Sequence, residues 1–428
     1  MKTPPGPRGT AVFGFLRSPL TFLERTARRY GPVSHFRILG QRIYLIDDAN
    51  LIQEVLVTRQ HMFDRDNGAT LLRELVGDGL LTRDEPLHKE RRRTLQPAFH
   101  KAQVALYAGI MAREAVSWNC AARFDITAEM RRLTLSIVGA TLFGADFRGS
   151  ADQIAEVLGR VIRRSRWIAP ALPFVEPAAK AYRRRWPHGP SLFFQKERKE
   201  LEGILRPVIE SRRSGHGQDI LSLLLDQLED GDAVNEIVTL VLAGHETTST
   251  ALSWAWHLIA RHPEVEQKLH DELDGVLCGR EPRFEDLPGL PYTGMVFTEA
   301  MRLYPPAPAF GRRPKEDILL GGFEIPAKSS VFVSPYVTQR NKRYFIRPES
   351  FEPGRWECGT IPKFAYFPFG GGAKMCIGDT FARMEGVLVL ASLAQRWRLV
   401  SEQPSPVGMS LGITLRPDRP VWMRREPR

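Results

Sequence analysis

Of the four cysteines, at positions 120, 278, 358 and 376, one stands where a thiolate could work. Residues 369–378 read Phe-Gly-Gly-Gly-Ala-Lys-Met-Cys-Ile-Gly, so glycines crowd one side of Cys376 and a helical pattern starts on the other. Helix N-terminal amides and loop N–H groups stabilise negative charge on sulfur. Glycines such as Gly372 and Gly378 let the backbone pass close to a flat, bulky group without a Cβ clash. Lys374 places a positive charge two residues from the sulfur, suited to the anionic edge of a cofactor, and Phe369 can pack on the sulfur side and shield it from water. Together these residues suit a thiolate bound to haem iron. Cys120, Cys278 and Cys358 lack such a setting and read as inert.

A second set lies inside a long apolar-periodic segment, where residues 243–248 read Ala-Gly-His-Glu-Thr-Thr. Glu246 beside Thr247, preceded by Gly244, suggests a local widening of the helix in which carbonyls and a hydroxyl hold water. His245 and Glu246 open the zinc-protease pattern H-E-x-x-H, but position 249 is Ser, so that chemistry is excluded. Glu299 and Arg302 lie three apart on one helical face. The same spacing recurs at Glu90/Arg93, Glu129/Arg132, Glu210/Arg213 and Glu352/Arg355. Context selects the first pair, since Leu-Tyr-Pro-Pro follows it and Cys376 lies downstream. A dinucleotide site is not expected, because Met375 stands where the last Gly of G-x-G-x-x-G would fall after Gly370.

The cysteine segment resembles the haem-binding loop of the cytochromes P450, F-x-x-G-x-[H/R/K]-x-C-x-G, and matches every fixed position. Residues 243–248 match the same family's [A/G]-G-x-[D/E]-T-[T/S], and Glu299 and Arg302 its E-x-x-R. The resemblance covers nearly the whole chain. It implies a soluble, bacterial-type haem-thiolate monooxygenase with Cys376 as the ligand of haem b. It also implies that Thr247 stabilises the oxygen group at the iron, that Glu246 feeds protons from solvent, and that Arg355 joins Glu299 and Arg302 in a buried charge network. Cations for the haem propionates would be His88, Arg92, Arg312 and Lys374; Arg93 and Arg313 leave two of these registers open. Many members carry Trp where this chain has His88, and His can still donate a hydrogen bond.

By position in that fold, the pocket would draw on Leu80, Leu81, Thr239, Ala243, Ala307, Ala309, Phe310 and Ile413, which are small or carry no charge. An apolar substrate of some size fits: fatty acid, terpenoid, carotenoid or steroid-like polycycle. The basic, Trp-containing stretches 163–167 and 183–186 fall where the family has its mobile access lid. With no flavin or ferredoxin segment, electrons would come from a separate ferredoxin and its reductase, or a flavodoxin-type donor. Two other readings are a peroxide-driven peroxygenase, against which the intact Glu246–Thr247 pair counts, and a haem sensor without turnover.

These residues need a scaffold, and the patterns supply one. Residues 32–48 alternate apolar and polar around Gly40, which predicts a hairpin. Helical periodicity dominates from about 50 to 300, with a long helix over 234–260 and others over 263–277 and 292–303. Short strands are expected at 319–322, 324–325, 330–334, 412–415 and 421–423, and a last helix at 380–396. The fold class is mainly α with small β-sheets: a large helical body and a small β-rich lobe, the haem between the long central helix and the cysteine loop. The 428 residues read as one catalytic domain, entered by a Pro-rich strap at residues 1–23 with neither signal peptide nor membrane anchor. Hydrophobic residues at 43% and charged residues at 25% exclude a disordered chain. A net charge of +11 is mild for this length and is no nucleic-acid signature. It suits an acidic protein partner, to which Lys89 and Arg93 could offer a docking face. Cysteines without any CxxC pair suit a reducing cytoplasm rather than a disulfide framework.

Overall fold

The long periodic segment forms one continuous α-helix, Asp230–Ile259, with Asp230 and Asp232 in its first turn, where carboxylates suit the helix dipole. At 1.5 Å per residue it runs about 45 Å. It is buried on nearly every side, which makes it the axis of the helical body rather than a surface helix. The computed structural model describes all residues except 1, 8, 10, 39, 169–180, 183–184, 186–191, 214–218, 358, 360 and 404. Cys358 and residues 183, 184 and 186 of the expected access stretches therefore lie outside the described residues, while 163–167 end the helix Ala151–Ile168.

Three helices pack along the axis: Ile126–Val138, Pro291–Leu303 and Asp379–Ala394. Gly244 permits the closest of these approaches, since a Cβ there would come within 2.9 Å of Val138 Cγ2. The widening that Gly244 suggests is not formed, because the helix keeps its α-helical bonding through Asp230–Ile259. The glycine serves helix packing instead. Pro263–Leu277 forms as expected, with Pro263 at its first turn.

Alternation in the early segment gives β1 (Val33–Ile38) and β2 (Gln41–Ile46), antiparallel, with Val33 opposite Ile46. The sheet adds β3 (Phe63–Arg65), β4 (Phe310–Pro314) and β5 (Ser330–Val333), in the order β1-β2-β5-β4-β3, with β2 and β5 parallel. In the β3–β4 register Arg65 lies opposite Arg312, and Asp64 opposite Arg313. Successive strand residues face opposite sides, so Arg312 and Arg313 do not serve the same site. Phe364 and Phe367, which lead to the cysteine loop, share a core with Tyr44, Ile46 and Val331 of this sheet. Leu20 and Leu23 join Phe36 and Leu45 in a second cluster.

Three expectations change. The N-terminal apolar run is no strap but two helices, Val12–Arg17 and Pro19–Tyr30. Residues 412–414 form the turn between β6 (Met409–Leu411) and β7 (Leu415–Pro417), closed by Gly412 N–H donating to Thr414 O at 3.1 Å. The terminal strand is Trp422–Pro427, paired with Trp397–Ser401. Among the described residues, no helix is long and apolar enough to cross a membrane.

Candidate active site at the cysteine loop

The loop before Asp379–Ala394 is held by its own backbone: Gly370 N–H donates to Phe367 O, Met375 N–H to Gly372 O, and Cys376 N–H to Phe369 O at 3.0 Å. Gly372 is required twice over. Its φ of 71° is left-handed, and a Cβ would sit 1.9 Å from Leu56 O. Gln60 Oε1 accepts from Ala373 N–H at 2.6 Å and ties the loop to the preceding elements. Phe369 is half-buried under the Arg383 guanidinium, 4.7 Å from its ring centre.

Cys376 keeps accessible surface although protein surrounds it, so that surface faces an interior space. Burial pushes its thiol up to about 11; the Gly378 N–H and Arg92 pull against this, while Asp379 adds to it. The helix-start amides therefore do not by themselves keep sulfur ionised. A bound cation would complete that task. Midway along the long helix Ala243 is exposed and Gly244 and Thr247 are partly so; Ala243 and Thr247 lie four apart and hence on one face. Thr247 Oγ1 donates to Ala243 O at 2.7 Å.

The cations gather at one edge of the loop. Arg65 and Arg312 face each other across two strands. Burial and Arg312 lower Arg65 to about 10. Burial also lowers Arg312, and burial with Arg65 lowers Lys374 and His88. Lys374 Nζ lies 3.5 Å from Asp84 Oδ1, and His88 Nδ1 lies 3.0 Å from Glu85 Oε1. Arg92 donates to Met375 O at 2.6 Å, whereas Arg93 is exposed. Of the two adjacent pairs, Arg92 is the one bonded to the cysteine loop and Arg312 the one opposite Arg65. Sequence reasoning missed Arg65, because only the β3–β4 pairing reveals its position opposite Arg312.

Glu299 and Arg302 are fully buried and doubly bonded, Arg302 Nε to Glu299 Oε2 at 2.8 Å and Nη2 to Oε1 at 2.9 Å. Arg355 Nε reaches Glu299 Oε1 at 2.8 Å, and Trp356 Nε1 donates to Oε2 at 3.0 Å. Arg302 also donates to the carbonyls of Gln339, Pro348 and Ser350. The network clamps the segment that leads from β5 to the cysteine loop onto the helix Pro291–Leu303.

Of the expected pocket residues, Leu81, Ala243, Ala309 and Ile413 are accessible, and Ala307 is partly so. Leu80 and Thr239 are covered instead. Thr239 Oγ1 is buried without a partner against Gly79, and Leu80 N–H donates to Glu236 Oε2 at 3.0 Å. Phe310 lies over Gly370, so its ring braces the cysteine loop.

Glu246 does not share Thr247's face, since adjacent helical residues point about 100° apart. Its Oε1 accepts from Thr414 Oγ1 at 2.6 Å and from Arg416 Nε, while Oε2 is buried without a partner. Burial pushes this carboxyl up, but Arg416, with His245 and Thr414, outweighs it and holds the group below the usual carboxylate range. No local sequence pattern announces Thr414 or Arg416, which lie 168 and 170 positions away.

The family model for cytochrome P450 matches residues 4–422. Cyclooctatin synthase of Streptomyces melanosporofaciens is 36% identical over 413 residues, 90% of this chain and 86% of that protein. Cyclooctat-9-en-7-ol 5-monooxygenase of the same organism is 34% identical, covering 90% of this chain and 85% of that one. Pentalenene oxygenase of Streptomyces avermitilis is 30% identical, covering 92% and 89%. With its thiol loop and its buried Glu-Arg clamp set in a mainly helical fold, the chain belongs to the cytochrome P450 family of haem-thiolate monooxygenases.

Proposed function

We propose that this chain inserts one oxygen atom of O2 into a C–H or C=C bond of an apolar, cyclic terpenoid-like substrate. The observation that supports the substrate class is that the accessible residues among the expected pocket positions, Leu81, Ala243, Ala309 and Ile413, are small or apolar and bring no charge. The names of the three relatives, which point to cyclooctatin, cyclooctat-9-en-7-ol and pentalenene, support the same class.

The residues present fit a haem. The half-buried Arg65 and the buried Arg312 lie opposite each other across the strand pair and repel, with Asp66 and Asp84 offsetting part of that charge. The two propionates of a haem would offset the remainder. Cys376 would take the iron, and Arg65, Arg312, Lys374, His88 and Arg92 would line the propionate edge. When bound, the haem supplies O2 activation with two electrons and the transfer of one oxygen atom to carbon. Thr247 holds a hydroxyl proton on the accessible helix face, and Glu246 holds a carboxylate behind it. Phe369 and the closed glycine loop would cover the sulfur on the loop side of a bound haem. Electrons come from a separate ferredoxin or flavodoxin-type protein, for which the exposed Lys89 and Arg93 on helix Leu87–Leu95 offer a basic docking face. The 428 residues work as one catalytic unit in the cytoplasm.

A Soret-shift titration of the ferric protein tests the substrate class. Cyclic terpenes and their monoalcohols are expected to displace the haem toward high spin at micromolar concentration, roughly −8 kcal/mol of binding. Straight-chain fatty acids that shift the band as well or better would overturn the reading.

Haem retention tests the propionate edge. Losing one charge-assisted hydrogen bond costs about 1.5–3 kcal/mol, so Arg65→Gln should speed haem transfer to apomyoglobin roughly ten- to a hundredfold. Arg313→Gln, on the other face of the strand, should leave that rate near the parent value. Equal rates for the two variants would remove Arg65 from the site.

A further inference from the structure

Residues 77–83 lie pressed onto the long helix, and Leu81 is the one exposed residue among them. Two glycines permit the approach. A Cβ on Gly77 would sit 2.0 Å from Asn235 Oδ1, and one on Gly79 would sit 2.7 Å from Thr239 Oγ1. The segment holds its own shape: Thr82 Oγ1 donates to Gly77 O at 2.7 Å and accepts from Gly79 N–H at 3.2 Å. Arg65 donates to Leu80 O at 3.2 Å and to Arg83 O at 3.0 Å, so strand β3 also holds the segment.

On the helix side, one carboxyl group holds the backbone of this segment. Leu80 N–H donates to Glu236 Oε2 at 3.0 Å, and Glu236 is fully buried. Its Oε1 lies 3.0 Å from Arg91 Nε of helix Leu87–Leu95 but has no hydrogen-bond partner, so a charge on this group is only partly compensated. Arg83 in the segment and Asp232, one turn earlier on the long helix, are the other charged groups that face it. Both arginines lie 2.6 Å from Asp232. Of the cations farther out, Arg198 is taken by Asn235 and Arg73 by Asp78. Burial pushes the Glu236 carboxyl up to about 7; the Leu80 N–H, Arg91 and Arg83 pull against this, and Asp232 adds to it. Burial outweighs the three groups that favour charge, so the closed site favours the proton.

We propose that Glu236 is a positioning residue for the pocket: its protonated carboxyl latches residues 77–83 onto the long helix, and loss of that proton to water releases them, so that substrate is admitted past Leu81 faster as pH rises. This rests on the reading of Leu81 as a pocket residue. Closed, the group keeps its proton up to about pH 7, whereas a carboxyl open to water returns to about 4.3. The closed form therefore binds the extra proton. Acid favours closure, and closure weakens as pH rises from the ordinary carboxylate range through about 7. Release would also uncover the Thr239 hydroxyl, which is buried without a partner. Thr239 lies four residues before Ala243 and so on the same helix face, where its hydroxyl would meet a polar group on the incoming substrate.

The test uses the haem-loaded protein and needs no reductase. Amide exchange of residues 77–84, corrected for the intrinsic effect of pH, should report opening that rises roughly tenfold or more between about pH 5.5 and 7.5. The rate at which menthol, an uncharged cyclic terpene alcohol, shifts the Soret band should rise over the same range. Glu236→Gln should make both profiles flat, near the level of the parent at low pH. Arg91→Gln removes a group that favours the charged form, so the rise should level off at a higher pH. A purely structural role would change the level of exchange without flattening its pH profile. A flat profile in the parent, or a parent-like slope in Glu236→Gln, would overturn the proposal. Should Glu236→Gln not hold haem, Arg91→Gln decides, and an unmoved profile there overturns the proposal as well. If exchange follows pH but the menthol rate does not, Leu81→Ala separates the two readings. A menthol shift unaltered by Leu81→Ala means that the latch stands and the reading of Leu81 as a pocket residue fails. A menthol shift altered by it means that substrate enters elsewhere, and the proposal falls.

Discussion

Reduced and exposed to CO, a Cys376→Ala protein is expected to lack the red-shifted Soret band of thiolate-ligated haem, and product formation should fall below detection. The thiolate is what pushes electron density toward oxygen cleavage in this family, so removing it removes the chemistry rather than slowing one step. The loop explains why no other group can replace it. Gly372 and the Phe369 carbonyl fix the backbone at Cys376, and the Gly378 N–H and Arg92 are the groups that favour negative charge on its sulfur. Burial otherwise favours the neutral thiol, so Cys376 would give up its proton when it takes the iron. Cys376→Ser should also lose the band, because a hydroxyl at that position is far harder to ionise. Cys120→Ser and Cys278→Ser, at positions with no such loop, should keep it. A Cys376→Ala protein with the band intact would prove that a different residue binds the iron.

The parts of this site that were legible in the sequence are those fixed by neighbours along the chain. Phe369, Gly372, Lys374 and Cys376 lie within one loop, so their spacing carries their geometry. Glu299 and Arg302 are paired by helical spacing, and Asp230–Ile259 by its periodicity. The remainder depends on which distant strands meet. Choosing Arg312 over Arg313, and finding Arg65 at all, required the β3–β4 register. Thr247 and Glu246 are adjacent in sequence, yet the helix sends one to the accessible face and the other to a hairpin far along the chain. Gly244 shows the limit of a local rule: its missing side chain makes room for Val138, not for a bulge. Thr239 and Leu80 were placed by family position, and the loop that covers them cannot be read from their own types.

Replacing Glu299 with Gln should destabilise the protein by roughly 3–5 kcal/mol, a large part of the margin that holds most folded proteins together. The side chain keeps its shape, but Arg302 and Arg355 lose the one carboxylate they share. Arg302 is wholly buried, so no water can take the place of the lost charge. The Gln amide would also have to present an N–H to at least one of the donors now bonded to Glu299, which are Arg302, Arg355, Trp356 and the Glu352 N–H. Arg302→Lys should fare little better, because an ammonium cannot span Glu299 and the carbonyls of Gln339, Pro348 and Ser350 together. The pair Glu129–Arg132 supplies the control. It has the same three-residue spacing and a 2.6 Å contact, but Arg132 is 44% exposed. Arg132→Gln should cost less than about 1 kcal/mol. A cofactor-bound protein of this size does not unfold as a simple two-state system, so the readout is the thermal midpoint together with haem release. Glu299→Gln should lower the midpoint and release haem earlier, since the network anchors the segment that carries Phe364, Phe367 and the cysteine loop. If its midpoint falls no further than that of Arg132→Gln, burial is not what makes this Glu-Arg pair matter, and the clamp must be assigned to the carbonyl contacts of Arg302 alone.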